Sequence, residues 1–563
     1  MNVGGRARGV LAAAVSVAAV ITGWGPAGDA SARPQALPQA GADSGGPSVP
    51  PHRAQVLDER ASRVIAASAS TLTGCGPPAA TPVPDGKPIV VQLAPAAKFT
   101  VGKISKSMWM HPAVSDPAWQ LSFYGFMWLH PLAQRAAQDG QQKSLAALVD
   151  QMVQFHRLHP DSGKPRLGWD EGASMRRLTA ENCLYQLTRS KRLVPGMKAD
   201  ANVLLGPRYY GPPYHQVHNH GVMANLALLN AAGLLGNRQW RLKATARLRA
   251  ESGLAFSSKG VSLEQSSSYQ TLNIRLWARA AEALEDAAPA DPAVRTLKQV
   301  LAKADRVLAW LTEPDRKLVM IGESDEGPGT TRSKAKDRVF HDEKAGLGVG
   351  RWSWTDPRTT YYTVRYGPPL RAHGQQDRGG VTWSSLGTRI LVGPGRYTYD
   401  HASKYYPYAK GPASHNVAFP TKGKLVTTRS VKLRKLSYTS TRHAWQFTDS
   451  LFGTAHARAL LVDAKAHRLT ATDTFGRTTG FVQKWHLDRA WRLASVSNHG
   501  RTAVFTRSGG RRLVLTTTGS ISVRRGSTRP VAGWYFPSIG SRVANVEVTV
   551  SARGTATTTF TIR

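Results

Sequence analysis

The stretch Ser324-Asp325-Glu326-Gly327-Pro328-Gly329-Thr330, running on as a charged segment to Arg338, divides the chain into two kinds of sequence. Glycine and proline so close together break regular structure. Before this stretch, apolar residues recur at helical spacing. After it, they alternate with polar ones.

Upstream, Trp119 to Ala137 carries Leu121, Trp128, Leu129 and Leu132 on a helix-like repeat. Ser144 to Leu158 repeats the signal with Leu145, Leu148, Val149, Met152, Val153 and Phe155. Further helical runs cover Ala173 to Thr188, His220 to Leu235, Trp240 to Ser252, Leu272 to Leu284 and Val294 to Leu311. Turn signals such as His159-Pro160-Asp161-Ser162-Gly163 separate them. Many helices with short connections predict a helical array, open or closed into a toroid.

Downstream, Tyr362-Thr363-Val364-Arg365-Tyr366 and Val546-Glu547-Val548-Thr549-Val550 alternate as half-buried strands do. Ala459 to Val462, Val504 to Arg507, Arg512 to Thr517 and Ser520 to Val523 follow suit between glycine-bearing turns. An antiparallel β-sandwich is expected. Helices first and strands afterwards imply two segregated domains. We place a helical domain at 98–330 and a β domain at 331–563. Residues 33–97 are rich in Pro, Ala, Gly and Ser and read as a linker or arm, with one short helix near Leu57 to Ser68.

Residues 1–32 read as a secretory signal peptide. Arg6 and Arg8 precede an apolar run from Val10 to Ile21, and Ala30-Ser31-Ala32 offers a cleavage site. A secreted protein without stable membrane insertion is therefore expected. The two cysteines, Cys75 and Cys183, are candidates for one disulfide in such a compartment. They are too few for a thiolate zinc site.

The formal net charge is +38, from 74 Lys+Arg against 36 Asp+Glu. These residues are spread along the chain, so the field attracts polyanions in general. No nucleic-acid-binding module is recognisable, which points away from nucleic acid as a partner. The sequence also lacks a G-x-S-x-G elbow, an H-E-x-x-H pair, a P-loop and a dinucleotide fingerprint.

What remains is a set of polar clusters. Val217-His218-Asn219-His220-Gly221 opens an apolar helix, where donors suit an anion and Asn219 also suits a plain N-cap. Ser262-Leu263-Glu264-Gln265-Ser266-Ser267-Ser268-Tyr269-Gln270 leads into another helix. In the β half lie His373-Gly374-Gln375-Gln376-Asp377, the run from Gly393 through Pro394-Gly395-Arg396-Tyr397-Thr398-Tyr399, and Ser414-His415-Asn416-Val417.

In this order, the clusters resemble those of the heparinase II/III-like polysaccharide lyases, over roughly Trp119 to Leu487. Met320-Ile321-Gly322-Glu323-Ser324-Asp325 is similar to that family's boundary between domains. The resemblance implies an (α/α) toroid followed by an antiparallel β-sandwich. It also implies cleavage of an acidic, uronate-containing polysaccharide by β-elimination. It assigns Asn219 and His373 to neutralising the uronate carboxylate. His220 and Tyr269 become the proton-transfer pair, with Tyr269 the acid to the leaving group and a candidate base as well. His415, Gln265 and Arg176 are expected to contact substrate.

These residue types suit that chemistry. The C5 proton of a uronate becomes acidic only when donors hold its carboxylate and take up developing charge. A base then removes that proton and an acid protonates the departing C4 oxygen. Several family members carry zinc in the β domain, on positions that here hold Gln375, Gly393 and His415. Gln is a poor zinc ligand and Gly offers no side chain, so neither zinc nor another cofactor is expected. Two other readings stand beside the lyase. One is a glycoside hydrolase drawing two carboxylates from Glu171, Glu181, Glu264, Glu323 and Asp325. The other is a non-catalytic protein that binds anionic polysaccharide.

Overall fold

The computed structural model describes residues 14–16, 75, 78–83, 85–93, 97–112, 114, 116–159, 168–206, 219–330 and 337–563. Most of the leader, the greater part of the arm and the short helix expected near Leu57 lie outside them. Two compact units are present. The first comprises Met1–His215, Asn219–Ala250 and Arg279–Asp291; the second comprises Gln216–His218, Glu251–Ala278 and Pro292–Arg563.

In the first unit, strands β1 (Ala14–Ser16), β2 (Val90–Leu93) and β3 (Ala97–Thr100) form a small sheet. Val83, Ile89, Val91 and Leu93 are buried. The end of the segment read as linker is therefore packed structure, because its few apolar residues find a core. Cys75 is disulfide-bonded to Cys183, 108 residues away. Helices follow: α1 (Lys106–Met110), α2 (Pro117–Tyr124), α3 (Leu129–Gln138), α4 (Gln142–Leu158), α5 (Glu171–Thr188), α6 (Val194–Leu205), α7 (Asn219–Leu235) and α8 (Arg238–Ser252). On α4, Leu145, Leu148, Val149, Met152 and Phe155 are buried, the face its spacing predicts. Asp170 caps α5 by accepting from the Ala173 N–H at 2.8 Å.

Helix α5 is the hub of this unit and packs on α2, α3, α4, α6 and α7. Its Arg177 is fully buried. It donates to both oxygens of Asp200 and to the carbonyls of Tyr124 and Gly168. Its guanidinium also lies over Phe155 and Trp169. No described helix is long and apolar enough to cross a membrane.

The second unit begins with helices, so the strand-bearing body starts earlier in the chain than residue 331. Helix α9 (Ser267–Ala287) contributes Ser267 to Ala278, and α10 (Pro292–Trp310) lies wholly within it. Five antiparallel strands form one sheet in sequence order: β4 (Val339–Asp342), β5 (Leu347–Arg351), β6 (Tyr361–Arg365), β7 (Val381–Ser385) and β8 (Thr388–Leu391). All residues of β5 to β8 are buried, contrary to the half-buried pattern expected. The cause is cover on both faces. Leu347, Val349 and Tyr361 pack with Val307, Trp310 and Leu311. Tyr362, Val364 and Trp383 enter the sandwich core. The end of α10 is tied down as well: Tyr361 donates its hydroxyl to the Trp310 carbonyl at 2.9 Å.

After α11 (Tyr405–Lys410) come β9 (Ala418–Pro420), β10 (Lys432–Tyr438), β11 (Arg442–Asp449), β12 (His456–Asp463), β13 (Arg468–Thr474) and β14 (Gly480–His486). Then follow β15 (Arg492–Ser497), β16 (Thr502–Thr506), β17 (Arg512–Thr517), β18 (Ser520–Arg525), β19 (Ser527–Thr528) and β20 (Val531–Ala532). The last are β21 (Trp534–Ser538), β22 (Ser541–Ala544), β23 (Val546–Arg553) and β24 (Thr555–Ile562). An eight-stranded sheet runs β10-β11-β12-β13-β24-β17-β16-β15, and a four-stranded sheet runs β18-β23-β14-β9. Phe447, Leu460, Leu469, Phe505, Leu515 and Phe560 of the larger sheet meet Trp485, Val548 and Val550 of the smaller in one core. That is a sandwich built on period-2 burial.

A buried ion cluster staples this sandwich. His456 is 7% exposed. Its ring nitrogens sit 2.8 Å from Asp449 and 2.8 Å from Asp473, and Arg458 also pairs with Asp473. Burial alone would lower the His456 pKa, but the two aspartates outweigh it and raise it to about 9. A folded pKa above the unfolded value near 6.5 means stabilisation that is complete below pH 6.5. It is lost as pH rises through about 9. We expect this loss to be on the order of 3 kcal/mol. Urea denaturation at pH 6, 7.5 and 9.5 checks it, and a His456→Gln protein should show a flatter profile across that window.

Candidate active site

His373, Glu323, Glu264, Tyr399, Lys410 and Arg396 of the second unit gather around Tyr269. Tyr269 lies in the first turn of α9. That turn is held by the serines before it. Ser266 donates to the Glu323 carbonyl at 3.0 Å, the hydroxyls of Ser267 and Ser324 are 2.8 Å apart, and Ser268 accepts from the Asp325 N–H at 3.0 Å. The polar run read as a candidate site is therefore chiefly a clamp that fixes Tyr269.

The other side of the clamp is a tight turn at Gly322. Its φ is +61°, and a Cβ there would lie 2.3 Å from the Gln265 carbonyl oxygen and 2.7 Å from that of His373. Only glycine fits. The turn lets the Glu323 N–H donate to the His373 carbonyl at 2.8 Å, while the His373 N–H donates to the Glu264 carbonyl at 3.2 Å.

These constraints bring Tyr269 and His373 face to face. Their ring centroids are 3.4 Å apart and the planes differ by 5°. His373 Nδ1 is 2.8 Å from Glu323 Oε2, and Nε2 is 3.5 Å from Glu264 Oε2. A carboxylate can only accept, so Nδ1 carries the proton of that bond. Glu323 also accepts from the Tyr399 hydroxyl at 2.8 Å and from Lys410 Nζ at 2.5 Å. Arg396 donates to the Tyr269 hydroxyl at 3.4 Å and to that of Tyr399 at 3.3 Å, and is itself anchored by both oxygens of Asp325.

The electrostatics divide the roles. Burial drives the Tyr269 pKa well above 10; Arg396 opposes this, and Glu323 and Glu264 add to the rise. The phenol is therefore neutral at rest and a proton donor. Burial works against a charged Glu323 too, but Lys410 and then His373 hold its carboxyl far below the usual range. Glu323 is thus a permanent anion beside His373.

The remaining expected residues are placed as follows. Asn219 and His220 form the fully buried first turn of α7, in the first unit. Arg176, also in the first unit, folds back on its own helix to the Gly172 carbonyl at 3.0 Å. Gln265 stands in the left-handed region at φ +59°. Its amide donates to the Pro369 carbonyl at 3.0 Å and accepts from the Arg371 N–H at 2.9 Å. Both ends of that side chain are spent on backbone. His415 is 4% exposed and faces an internal cavity lined by Arg365, Asp377 and Asn416. Burial lowers its pKa to about 3, so it is neutral. Lys410, Arg396 and Tyr399 were not singled out from sequence as site residues, and Glu323 only as one of the carboxylates of the hydrolase reading. Three of them stood in quoted motifs, but Lys410 carries no signal beyond its charge.

Residues 343–562 match the family model described as heparinase II/III-like, C-terminal. The strand-bearing unit carries a heparinase II/III-like C-terminal domain. No curated protein matches the sequence. Among solved structures, a heparinase III has 15% identity and a TM-score of 0.67, covering 81% of this chain and 78% of its own. Another heparinase III, with methylated lysines, has 14% identity and a TM-score of 0.62, covering 91% of each chain. The heparan sulfate lyase HepC from Pedobacter heparinus, as a mutant, has 15% identity and a TM-score of 0.60, covering 91% and 89%. At this identity the likeness speaks for the fold: a helical toroid followed by an antiparallel β-sandwich.

The zinc that the heparinase II/III-like resemblance implies does not fit the residues present. Gln375 donates its amide to the Gly395 carbonyl at 3.0 Å. A Cβ at Gly393 would meet the Met320 carbonyl oxygen at 2.1 Å, so no ligand side chain can stand there. Only His415 offers a suitable donor. A second grouping, His156, Glu181 and Asp200 in the first unit, has ligand atoms within 4.8 Å of one another. Arg177 already takes both oxygens of Asp200, so this cluster contains its own cation.

Proposed function

We propose that this chain is a secreted polysaccharide lyase that cleaves a uronate-containing, glycosaminoglycan-like polymer by β-elimination. The observation that carries this reading is the neutral, buried Tyr269 stacked on His373 with Arg396 at its hydroxyl. Of the similar solved structures, one is a heparan sulfate lyase by its title and two are heparinase III, which supports the same reaction class.

In the reaction, a base takes the C5 proton and the C5–H electron pair forms the C4–C5 double bond. The C4–O bond breaks, and the departing oxygen takes the phenolic proton of Tyr269. The phenolate left behind is the charge that Arg396 is placed to stabilise. Glu323 accepts from Nδ1 and so fixes the angle of the His373 ring, which keeps the carboxylate-neutralising role that the family resemblance gives it. Asn219 and His220 keep the roles that the family resemblance gives them: a donor to the carboxylate and the acceptor of the C5 proton. None of these steps needs a metal.

The test is an absorbance assay for the unsaturated uronate. Purified protein is incubated with heparin, heparan sulfate, chondroitin sulfate, hyaluronate, alginate and glucuronan, with and without chelator. A rise on at least one polymer, unaffected by chelator, is expected. New reducing ends without absorbance would establish a hydrolase instead, and binding without any product would leave a non-catalytic protein.

A further inference from the structure

Arg542 is the one exposed residue of strand β22, yet its guanidinium is held in place. It stands 4.6 Å from the Tyr405 ring centroid, 5.1 Å from Trp534 and 6.0 Å from Tyr397. Among the described residues, no carboxylate pairs with it. Rings hold a guanidinium by its face and leave the N–H edge unspent. The result is an immobilised cation whose hydrogen-bonding fork is still available. A surface arginine kept for solubility needs no such cradle and would lose rotamer freedom by entering one.

The cradle itself is built from fixed parts. Tyr397 packs on Tyr405 and Phe536, and Tyr405 packs edge-on to Trp534. The Trp534 indole N–H donates to the Ser527 carbonyl at 2.7 Å, which sets that ring's angle. Trp534 and Tyr397 remain half-exposed, so ring surface faces solvent beside the cation. Lys404 adds a second positive charge over Tyr405.

The cradle is also laced to the candidate active site. The Phe536 N–H donates to the Pro394 carbonyl at 2.8 Å and the Gly540 N–H to that of Tyr397 at 2.7 Å. These bonds fasten the β21–β22 hairpin along residues 394–397, the segment that contains Arg396, which reaches the Tyr269 hydroxyl.

We propose that Arg542, seated on Tyr397, Tyr405 and Trp534, is an anion-reading subsite that binds a sulfate or carboxylate of the polymer outside the cleaved linkage. A fork-shaped cation matches either oxyanion bidentately. The solvent-facing parts of the half-buried Tyr397 and Trp534 rings offer apolar cover to a sugar beside it. This subsite rests on the polysaccharide reading above, since only a repeating anion reaches both places.

The test uses full-length protein with Tyr269→Phe to stop turnover, and calorimetric titration with heparin, N- and O-desulfated heparin, and hyaluronate. Arg542→Met keeps the stem over the rings and removes the charge. It is expected to weaken binding about tenfold, equivalent to roughly 1.4 kcal/mol. Loss confined to heparin assigns the subsite to sulfate, and equal loss on all three assigns it to carboxylate. In the active protein the effect of Arg542→Met falls on KM rather than kcat, and Arg542→Lys recovers only part of it. A thermal melt with an unchanged midpoint shows that the fold is intact. Parent binding that Arg542→Met leaves unaltered overturns the subsite alone. Failure of the parent protein to bind any of the three overturns the subsite, and failure to bind any polymer of the absorbance panel overturns the polysaccharide reading as well.

Discussion

Tyr269→Phe is expected to lower kcat by about 10²–10⁴-fold on whichever polymer the protein cleaves, the range typical of losing a positioned proton donor. The substitution removes one oxygen and leaves the ring. The stack on His373 at 3.4 Å depends on the ring alone and is retained. Arg396 loses a weak partner at 3.4 Å but keeps Asp325. Binding should therefore change little, and KM with it. A leaving oxygen that departs without a proton carries the full alkoxide charge, which is the step the phenol avoids. Steady-state absorbance assays on both proteins check this, with circular dichroism to confirm folding. A Phe protein that retains more than a tenth of the activity would remove Tyr269 from the reaction. In that event the proton donor must be sought elsewhere.

Glu323→Ala is expected to cost about 3–5 kcal/mol of stability, because it strands a charge rather than merely deleting a contact. Lys410 is left without its counter-ion, and His373 and Tyr399 lose their acceptor. The backbone bonds through Gly322 do not replace them. The same change frees the His373 ring, so a fall in kcat of about 10²-fold should accompany it. Glu323→Gln retains an acceptor for Nδ1 and should lose less on both counts. Glu323→Ala combined with Lys410→Met should recover stability without recovering activity, because the stranded charge is gone but the ring is still loose. Chemical denaturation and absorbance assays on the four proteins separate the two effects. Equal activity in Glu323→Ala and the parent would show that the orientation of His373 is irrelevant to turnover.

The helices and strands were legible for the usual reason: period and burial go together when one face meets one core. Leu145, Leu148, Val149, Met152 and Phe155 repeat at the helical period and line the buried face of α4. The alternation in β12, β13 and β24 reports a sheet with one face on the sandwich core. Period could not report the second cover on β5 to β8. That cover comes from α10, and a helix that packs on a distant sheet leaves no mark on the strands' own spacing. For the same reason the start of the strand-bearing unit was read too late. The packed residues before Leu93 were hidden in a stretch whose Pro and Ala content looked like linker.

The family resemblance singled out Tyr269 and His373; the sequence by itself determined the order of helices and strands and the polyanion-seeking charge. It could do so because each of these is written in local pattern or in residue type. Only the tertiary structure decided what state those two residues are in. Glu323 and Lys410 are 87 residues apart, and Arg396 reaches Tyr269 across 127 residues. Their pairing depends on the Gly322 turn and on burial that removes water. The folded body supplies both: burial keeps the Tyr269 phenol protonated, while Lys410 and His373 hold Glu323 as an anion against burial. It also spends both ends of the Gln265 side chain on backbone, which nothing in that side chain's type reveals.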